Sequence, residues 1–283
     1  MRIWLSIAII RYSHLKFFDY FRSLVPRGTN MKFSVIIPSY NQPSFIEFTL
    51  KNVLDLKDRA EAEGFAVELL LFDSESPDPM PAIIEKYRNA FTYVEVRKDK
   101  GQYDAINKGI VRATGDYWTW LNTDDTLDIE GMLKVFHYLH SHPETDYCYG
   151  AIDYIDEAGR VFRSFPTYTI QWKQLVTRTP GVFQQGSFFR KAFTDKIGLL
   201  RPYNCCFDYE YVLRCLSNNA IMKVFTFKVA NFRQHQVSKT GSLTPVFIRE
   251  QLAISKEYGR QPWHFLSSFS KLRLVKHKLF PRK

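Results

Sequence analysis

The sequence predicts an α/β fold built around a Rossmann-like, mostly parallel central sheet with helices on both faces. Between residues 33 and 121, short apolar runs alternate with segments of helical spacing, which is the pattern of parallel β-α-β units. After about residue 145 the pattern changes to a mixed α+β arrangement. With 283 residues, of which 45% are hydrophobic, the chain is long and apolar enough to bury a sizeable core.

The first half of the chain contains predicted strands that are short, apolar and closed by turn residues. These strands are Phe33–Ile37, Val67–Phe72, 92–96 and Tyr117–Leu121, and the helices predicted between them are 44–56, 80–88 and 102–112. Parallel sheets bind ligands beyond the carboxyl ends of their strands. The turns that follow three of these strands, 39–42, 73–78 and 122–125, therefore predict the ligand site.

The second half is predicted to add strands at Tyr147–Tyr154, Arg160–Phe165, Ser187–Arg190 and 223–234, and a helix at Asp208–Leu216. We divide the chain into a basic and apolar extension (1–30), a central domain (31–244) and a helical, basic, amphipathic tail (245–283). The central domain divides further into a ligand-binding half, 31–125, and a second half, 126–244.

The net charge of +10 is concentrated in the two tails, and the stretch between them is nearly neutral. A nucleic-acid reader would carry basic residues across its folded face, so nucleic acid is not expected as a partner. In 265–280, apolar residues recur at steps of three and four among Lys and Arg. This basic amphipathic pattern predicts contact with an anionic membrane surface.

The cysteine pattern and the apolar content of the N-terminal extension bear on location. The four cysteines form no C-x-x-C pair or zinc spacing, which favours a reducing compartment. The apolar run Ile3–Ile10 is shorter than the roughly 20 residues that span a bilayer. We therefore expect a cytoplasmic protein, with peripheral attachment to the inner face of the cell membrane.

Paired carboxylates follow an aromatic strand at Trp118–Asp125. Carboxylate oxygens suit hard divalent cations such as Mn²⁺ or Mg²⁺, which often take one or two protein ligands and complete their shell with phosphates. Asp124 and Asp125 therefore predict a divalent-cation site. The alternative is that one of the pair caps a helix starting near Leu127.

Four separated motifs make the chain resemble family 2 of the glycosyltransferases, which have the GT-A fold. They are Ser34–Asn41, Gly101–Gly109, Leu121–Asp125 and Phe207–Arg214, the last followed by Phe232–His235, and they occur in family order between about residues 31 and 242. The resemblance implies an inverting transferase that moves a sugar from a nucleotide-sugar donor (a UDP-, GDP- or dTDP-sugar) to a saccharide or lipid-linked saccharide acceptor. It suggests a role in bacterial polysaccharide or lipopolysaccharide assembly.

The resemblance also implies a role for each matching residue. The nucleotide-sugar positions are Pro38, Tyr40, Asp73, Ser74, Glu75, Asp104, Asn107 and Asp124. The metal positions are Asp124, Asp125 and His235, and the acceptor-side positions are Gln184 and Gln185. Asp208 matches the general base, with Glu210 as the fallback. The run Ser74-Glu75-Ser76 departs from the Asp-Gly-Ser that often follows the first aspartate in the family, which leaves the base open.

These residue types suit the chemistry, because an acceptor hydroxyl needs a carboxylate to take its proton near neutral pH. Taken singly, Asp208 also fits a helix N-cap and His235 a structural histidine. Two other functions stay open: a nucleotidyltransferase of related fold and a non-catalytic sugar-binding homologue. A nucleotidyltransferase usually has a Gly-rich, basic loop after the first strand, which Ser39–Gln42 does not provide.

Overall fold

The structure is a computed structural model that describes residues 31–177, 184–235 and 244–261. Its first half contains the predicted alternation of strands and helices. The strands are β1 (Lys32–Ser39), β2 (Ala66–Asp73), β3 (Tyr93–Val96) and β4 (Tyr117–Trp120), and the helices are α1 (Ile46–Ala62), α2 (Met80–Tyr87) and α3 (Gln102–Arg112). All four strands are parallel, in the order β3-β2-β1-β4. This confirms the predicted parallel sheet and its elements.

The second half extends the same sheet with strands of both directions. Its strands are β5 (Thr126–Leu127), β6 (Tyr147–Ile155), β7 (Val161–Phe165), β8 (Ser187–Arg190) and β9 (Met222–Arg233). Its helices are α4 (Ile129–Ser141), α5 (Trp172–Thr177), α6 (Lys191–Ile197), α7 (Phe207–Ser217) and α8 (Thr244–Glu257), and short 3₁₀ turns occupy Arg88–Ala90 and Gln184–Gly186. Within the described residues the sheet order is β3-β2-β1-β4-β8-β6-β9-β5, with β7 paired to β6.

Side chains of β1 alternate between two apolar layers. Val35 and Ile37 pack with α1, α2 and α4 on one face, whereas Ile36 packs with α3 and α7 on the other. This alternation is the period-2 geometry of a strand that is buried on both faces. Trp118 and Trp120 stack with Phe189 of β8, so aromatic contacts cover the antiparallel junction between the two halves.

The domain extends beyond the predicted boundary at residue 244. Helix α8 buries Ile248 and Ile254 completely against the core, together with Gln251 and Ser255. Residues 245–261 therefore belong to the folded domain rather than to a separate tail. The sequence analysis expects a helical segment here but assigns it to the tail, whereas α8 packs on the domain.

Residues 1–30 and 262–283 lie outside the described residues, and with them the predicted N-terminal extension and the basic amphipathic stretch 265–280 of the predicted tail. Among the residues that the structure does describe, every helix is too short or too polar to cross a membrane.

Candidate active site

Three turns meet at the carboxyl edge of the parallel strands, as the sequence predicts. They follow β1 at Ser39–Asn41, β2 at Ser74–Ser76, and β4 at Asn122–Asp125. The adjacent pairing of β2, β1 and β4 brings these turns side by side. Asn41 and Glu75 adopt φ angles of 48° and 52°, a left-handed conformation that non-glycine residues rarely take and that clusters at functional sites.

Asp73 ties the first two turns together. Its carboxylate accepts hydrogen bonds from Ser39 Oγ at 2.7 Å, Ser76 N at 2.8 Å and Ser76 Oγ at 2.7 Å. The residue is buried, and Ser76 Oγ in turn accepts from Asn41 N at 2.9 Å. Asp73 therefore shapes the turns in this structure rather than presenting its oxygens to solvent. Ser76, outside the expected set of contacts, is its main partner.

The neighbouring donor-side residues differ in accessibility. Pro38 is buried in β1, Tyr40 is 61% exposed, and Glu75 is exposed. Ser74 Oγ accepts a hydrogen bond from Asp99 N at 3.1 Å. Tyr40 and Glu75 are thus the members of this group that face outward.

Helix α3 contributes two further expected residues. Asp104 Oδ2 accepts from Lys100 N at 3.1 Å, in the first turn of the helix. Asn107 Nδ2 donates to Leu200 O and Asn107 Oδ1 accepts from Leu200 N, both at 2.9 Å. Asn107 therefore links α3 to the loop before α7, which uses both ends of its amide.

Asp124 and His235 form a pair although they are far apart in the sequence. Asp124 Oδ2 lies 3.0 Å from His235 Nε2, and the Asp124 side chain keeps 18% of its surface exposed. The Phe45 ring packs against the imidazole, with 4.8 Å between ring centroids. We call the turn Asn122–Asp125 the acidic turn. Strand β9 places His235 beside it, because β9 pairs with β5 immediately after this turn.

Asp125 has a different environment from Asp124. It is completely buried, and its carboxylate accepts hydrogen bonds from Arg233 N at 2.9 Å, Gln185 Nε2 at 3.0 Å and Asn122 Nδ2 at 3.3 Å. Burial, and then the charge of Asp124, raise the pKa of Asp125 well above its usual range. Three protein donors occupy this carboxylate, so the geometry differs from that expected of a metal ligand and favours a supporting role.

Arg233 is a site residue that the sequence reasoning missed. Its Nε donates to Asp124 O, and its Nη1 donates to Asp156 O and Glu157 O, all at 2.9 Å. The guanidinium also lies over the Phe45 ring, 5.3 Å from its centroid. Arg233 thereby fixes the acidic turn to the β6–β7 hairpin. Its place two residues before His235 was the available signal.

Three glutamine side chains donate hydrogen bonds to the acidic turn and to the end of β4 beside it. Gln102 Nε2 donates to Asn122 Oδ1 at 2.6 Å, Gln184 Nε2 donates to Trp120 O at 2.5 Å, and Gln185 contacts Asp125 as described. Gln184 and Gln185 are buried. In this structure the two expected acceptor-side residues thus hold the acidic turn in place.

The donor set at the acidic turn fits a divalent cation with few protein ligands. Among the described residues, no group of three or more His, Cys, Asp or Glu side chains is arranged to hold a metal ion. The adjacent carboxylate and imidazole of Asp124 and His235 supply two ligands of suitable type. A cation held by this pair would need phosphate or water oxygens to complete its shell.

None of the aspartates considered as an alternative helix cap lies at a capping position. Asp128, rather than Asp124 or Asp125, caps α4 by accepting from Gly131 N at 3.0 Å. Helix α7 has Cys206 at its N-cap position, and Asp208 lies inside the first turn. The capping alternatives for these aspartates are therefore wrong.

Asp208 is half-buried in the first turn of α7. Phe207, the residue before it, packs on Trp120 at the end of β4, with ring centroids 6.2 Å apart. Asp208 Oδ1 accepts from Tyr209 N at 2.7 Å, and no described side chain donates to it. Burial raises the pKa of Asp208 to about 6. Such a carboxylate is charged at neutral pH and poised to accept a proton.

Glu210 faces the opposite way. Its carboxylate is completely buried, where it accepts from Arg214 Nη2 at 2.7 Å and from Tyr258 Oη at 2.8 Å, and it lies 3.4 Å from Arg201 Nε. These partners give Glu210 a structural role, and the geometry does not support it as the fallback base.

Glu210→Gln should lower stability more than turnover. Removing one partner of a buried ion pair costs about 3 kcal/mol, because the remaining charge is left buried. For a domain of this size that corresponds to a Tm lower by roughly 6–12 °C. The Tm is measured by calorimetry, and turnover is measured well below it. A turnover loss of about 100-fold or more in folded protein, as expected on losing a base, would contradict this assignment.

Comparison with known proteins places this geometry in a family. The profile described as "Glycosyl transferase family 2" matches residues 34–198. A PGL/p-HBAD biosynthesis glycosyltransferase of Mycobacterium tuberculosis is 28% identical over 198 residues, which cover 67% of this chain and 72% of the relative. A poly-β-1,6-N-acetyl-D-glucosamine synthase of Staphylococcus aureus is 32% identical over 95 residues, which cover 33% of this chain and 22% of the relative.

Solved structures show the same fold. The crystal structure of S. aureus TarS in complex with UDP-GlcNAc superposes with a TM-score of 0.61 at 19% identity, covering 88% of this chain and 73% of that chain. The matched profile spans more than half of the chain and includes the acidic turn, whereas Arg233 and His235 lie beyond the matched residues. The protein is therefore a glycosyltransferase with the GT-A fold, and the chain belongs to glycosyl transferase family 2.

Proposed function

We propose that the protein is an inverting glycosyltransferase that moves a sugar from a nucleotide-sugar donor to an acceptor hydroxyl, with Asp208 as general base. The observation that carries this proposal is the environment of Asp208. Its carboxylate lacks a cationic partner among the described residues, its pKa is raised to about 6, and it follows a ring packed on the end of β4. These are the properties that a general base needs near neutral pH.

One displacement step accounts for the reaction. The acceptor O–H gives its proton to an Asp208 carboxylate oxygen while the acceptor oxygen forms a bond to the anomeric carbon. The bond from that carbon to the diphosphate oxygen breaks, and the nucleoside diphosphate leaves with the electron pair. Attack opposite the leaving group inverts the anomeric configuration, so no second carboxylate nucleophile is required.

Asp124 and His235 are the residues that would hold Mn²⁺ or Mg²⁺. When bound, such a cation neutralises charge on a diphosphate leaving group. Asp125, Arg233 and Gln185 would support the pair from behind, because they fix the backbone and carboxylates of the acidic turn. Supporting groups of this kind orient metal ligands in other proteins.

The exposed residues after β1 and β2 would bind the nucleotide. Tyr40 offers an aromatic face for a base, and Ser74 and Glu75 lie in the turn that the Asp73 contacts hold in place. The crystal structures of TarS with UDP-GlcNAc and with UDP support a UDP-sugar as the first donor to test, before GDP- and dTDP-sugars.

The names of the relatives support an acceptor in surface glycan assembly. One relative acts in PGL/p-HBAD biosynthesis and another is a poly-β-1,6-N-acetyl-D-glucosamine synthase. A saccharide or lipid-linked saccharide acceptor at the cytoplasmic face of the membrane is consistent with both names. Asp104 and Asn107 would contact the donor, and Gln184 and Gln185 would lie on the acceptor side, as the family resemblance implies.

Incubation with a panel of nucleotide sugars and Mn²⁺, with detection of released UDP, GDP or dTDP, tests the function. We expect one donor class to be hydrolysed slowly without acceptor and faster with a suitable saccharide. Release of pyrophosphate from a nucleoside triphosphate and a sugar phosphate would indicate a nucleotidyltransferase instead. Donor binding without any turnover would indicate a non-catalytic homologue.

Turnover should depend on pH through Asp208. Below the folded-state pKa of about 6 the carboxylate gains a proton and can no longer accept one from the acceptor. The rate should therefore fall about tenfold per pH unit below that value and level off above it. A profile of kcat between about pH 5 and pH 8, at saturating donor and Mn²⁺, measures this limb. A flat profile across this range contradicts the assignment of Asp208.

Residues 262–283 should bind anionic membranes. Each Lys or Arg near an anionic leaflet contributes about 1 kcal/mol, and the contribution falls off with salt. Removing this segment should abolish sedimentation with phosphatidylserine-containing vesicles at low salt and leave donor hydrolysis intact. If the protein with this segment does not sediment with such vesicles at low salt, the membrane prediction is wrong. If the truncated protein loses solubility or heat stability, the segment belongs to the protein's own core.

A further inference from the structure

Helix α8 supplies a carboxylate to the loop that leads into the helix of the proposed base. Glu250 Oε1 accepts from Asn204 N at 2.8 Å and from Asn204 Nδ2 at 3.2 Å. Glu250 Oε2 accepts from Cys205 N at 2.9 Å and from Cys206 N at 3.1 Å. One side chain from a distant element therefore accepts four hydrogen bonds within three consecutive residues.

This loop lacks the local capping that usually fixes a helix start. The N-cap residue of α7, Cys206, makes no side-chain capping hydrogen bond. Backbone N–H groups at helix starts need external acceptors, and a negative charge there also interacts favourably with the helix dipole. Glu250 supplies an acceptor for the N-cap N–H of Cys206 and places a carboxylate at this end of the helix. Asp208 lies only two residues beyond Cys206, so a displacement of the loop would also displace the backbone that carries this carboxylate.

Helix α8 is itself well anchored. Ile248 and Ile254 are completely buried, and Cys206 Sγ contacts Phe247 O at 3.5 Å. At the other end of α8, Tyr258 Oη donates to Glu210 on α7. Glu250 therefore acts from a rigid support, which is what a group needs in order to fix the geometry of another.

We propose that Glu250 is a positioning residue for glycosyl transfer, and that it holds the 204–206 loop so that the Asp208 carboxylate meets the acceptor hydroxyl. The proposal rests on the proposed function, because it takes Asp208 as the base. Glu250 itself touches backbone and Asn204 and does not react. Displacing a catalytic group by about 1 Å can cost roughly 100-fold in rate, so the expected effect is large.

A displaced loop should also change the pKa of Asp208, and the ionisable groups around this carboxylate set the direction of that change. Burial, followed by the charges of Asp208 and Glu250, raises the pKa of the Cys206 thiol, which places this thiol beside both carboxylates. The thiol is uncharged near neutral pH and therefore adds no charge beside Asp208. Burial is the main cause of the raised pKa of Asp208. If the loop shifts and water reaches Asp208, its pKa falls toward its ordinary value near 4. The acid limb of the rate then moves to lower pH.

Glu250→Gln tests the proposal with nearly unchanged side-chain shape. The probe is the nucleotide sugar of the panel that wild-type protein hydrolyses fastest with Mn²⁺. At about pH 8 we expect kcat to fall about 10- to 100-fold. The donor KM should stay within about threefold, because uniform donor binding is not altered. The acid limb should move below about pH 6, and Glu250→Asp should recover part of both effects.

Glu257→Gln is the matched control on the same helix. Glu257 pairs with Arg201 on the surface, where about half of its side chain is exposed. This variant should keep wild-type kcat and the wild-type acid limb.

Two outcomes overturn the proposal. One is a folded Glu250→Gln protein whose kcat and acid limb match wild type. The other is a loss of kcat that only follows the loss of folded protein, with the acid limb unmoved. If Glu250→Gln does not fold, Glu250→Asp is judged by the same two readouts. Asp208→Asn distinguishes failure of the proposed base from failure of the proposed role of Glu250. An active Asp208→Asn protein refutes Asp208 as the base. An inactive Asp208→Asn protein, together with an unaffected Glu250→Gln protein, refutes only the role of Glu250.

Discussion

Replacing Asp208 with Asn should abolish glycosyl transfer and leave nucleotide binding almost unchanged. The base acts on the acceptor, so its loss should lower kcat by about 10²–10⁴ while the affinity for the nucleoside diphosphate stays within roughly threefold. Asn has nearly the same shape, and Tyr209 N can still donate to its carbonyl oxygen. Initial rates with the preferred donor, together with calorimetric binding of UDP in the presence of Mn²⁺, measure the two quantities.

Asp195→Asn is the matched control for this substitution. Asp195 lies on α6, its side chain is 60% exposed, and it pairs with Lys191 on the surface. Its replacement should change neither quantity. Transfer by Asp208→Asn at a rate near that of the control would remove Asp208 as the base.

Replacing Asp124 with Asn should produce the second large effect, on metal-dependent donor binding. Asp124 pairs with His235 and is partly exposed, whereas three protein donors enclose Asp125. Loss of one catalytic electrostatic contact costs roughly 3 kcal/mol or more, which corresponds to a turnover lower by about 100-fold or more. We also expect UDP binding to lose its dependence on added Mn²⁺.

Asp125→Asn is the informative comparison, because the two carboxylates are adjacent in sequence. An Asn amide nitrogen at position 125 would face either Arg233 N, at the place of Oδ1, or both Gln185 Nε2 and Asn122 Nδ2, at the place of Oδ2. Either arrangement sets donor against donor and disturbs the acidic turn. We expect this variant to lose stability and some turnover but to keep Mn²⁺-dependent UDP binding. The reverse pattern, with metal dependence lost only in Asp125→Asn, would make Asp125 the metal ligand, as the sequence resemblance implies.

The parallel half of the fold could be predicted because its signals are local. The buried strands and the amphipathic helices between them appear in the sequence with the period of each element. The acidic turn was also predictable, since β4 leads directly into Asp124. Pairing of Asp124 with His235 could be expected only from the family resemblance, because more than a hundred residues separate them.

The hydrogen bonds by which Arg233 and Glu250 support the site could not be predicted from the sequence, because their partners are backbone groups. Arg233 donates to backbone oxygens of two distant turns, and Glu250 accepts from backbone N–H groups of a third. Backbone partners leave no residue-type signature at the other end of the contact. The burial of Asp73 among serine donors was hidden for a similar reason, because short polar turn residues suit both ligand binding and loop closure.

The choice between Asp208 and Glu210 illustrates the same limit. Both are carboxylates in one helical turn, but residues two apart on a helix differ in direction by about 200° and cannot face the same site. The sequence does not say which direction points to the acceptor. Buried Arg214 and half-buried Tyr258 donate to Glu210, which leaves Asp208 as the carboxylate without such partners among the described residues.

The anomeric configuration of the first product tests the proposed mechanism most directly. Protein, Mn²⁺ and the donor selected from the panel are mixed in an NMR tube, and proton spectra are recorded before the released or transferred sugar can equilibrate. With a single displacement assisted by Asp208, we expect the first product to carry the configuration opposite to that of the donor. A first product with the donor's own configuration would contradict inversion and the role of Asp208 as general base.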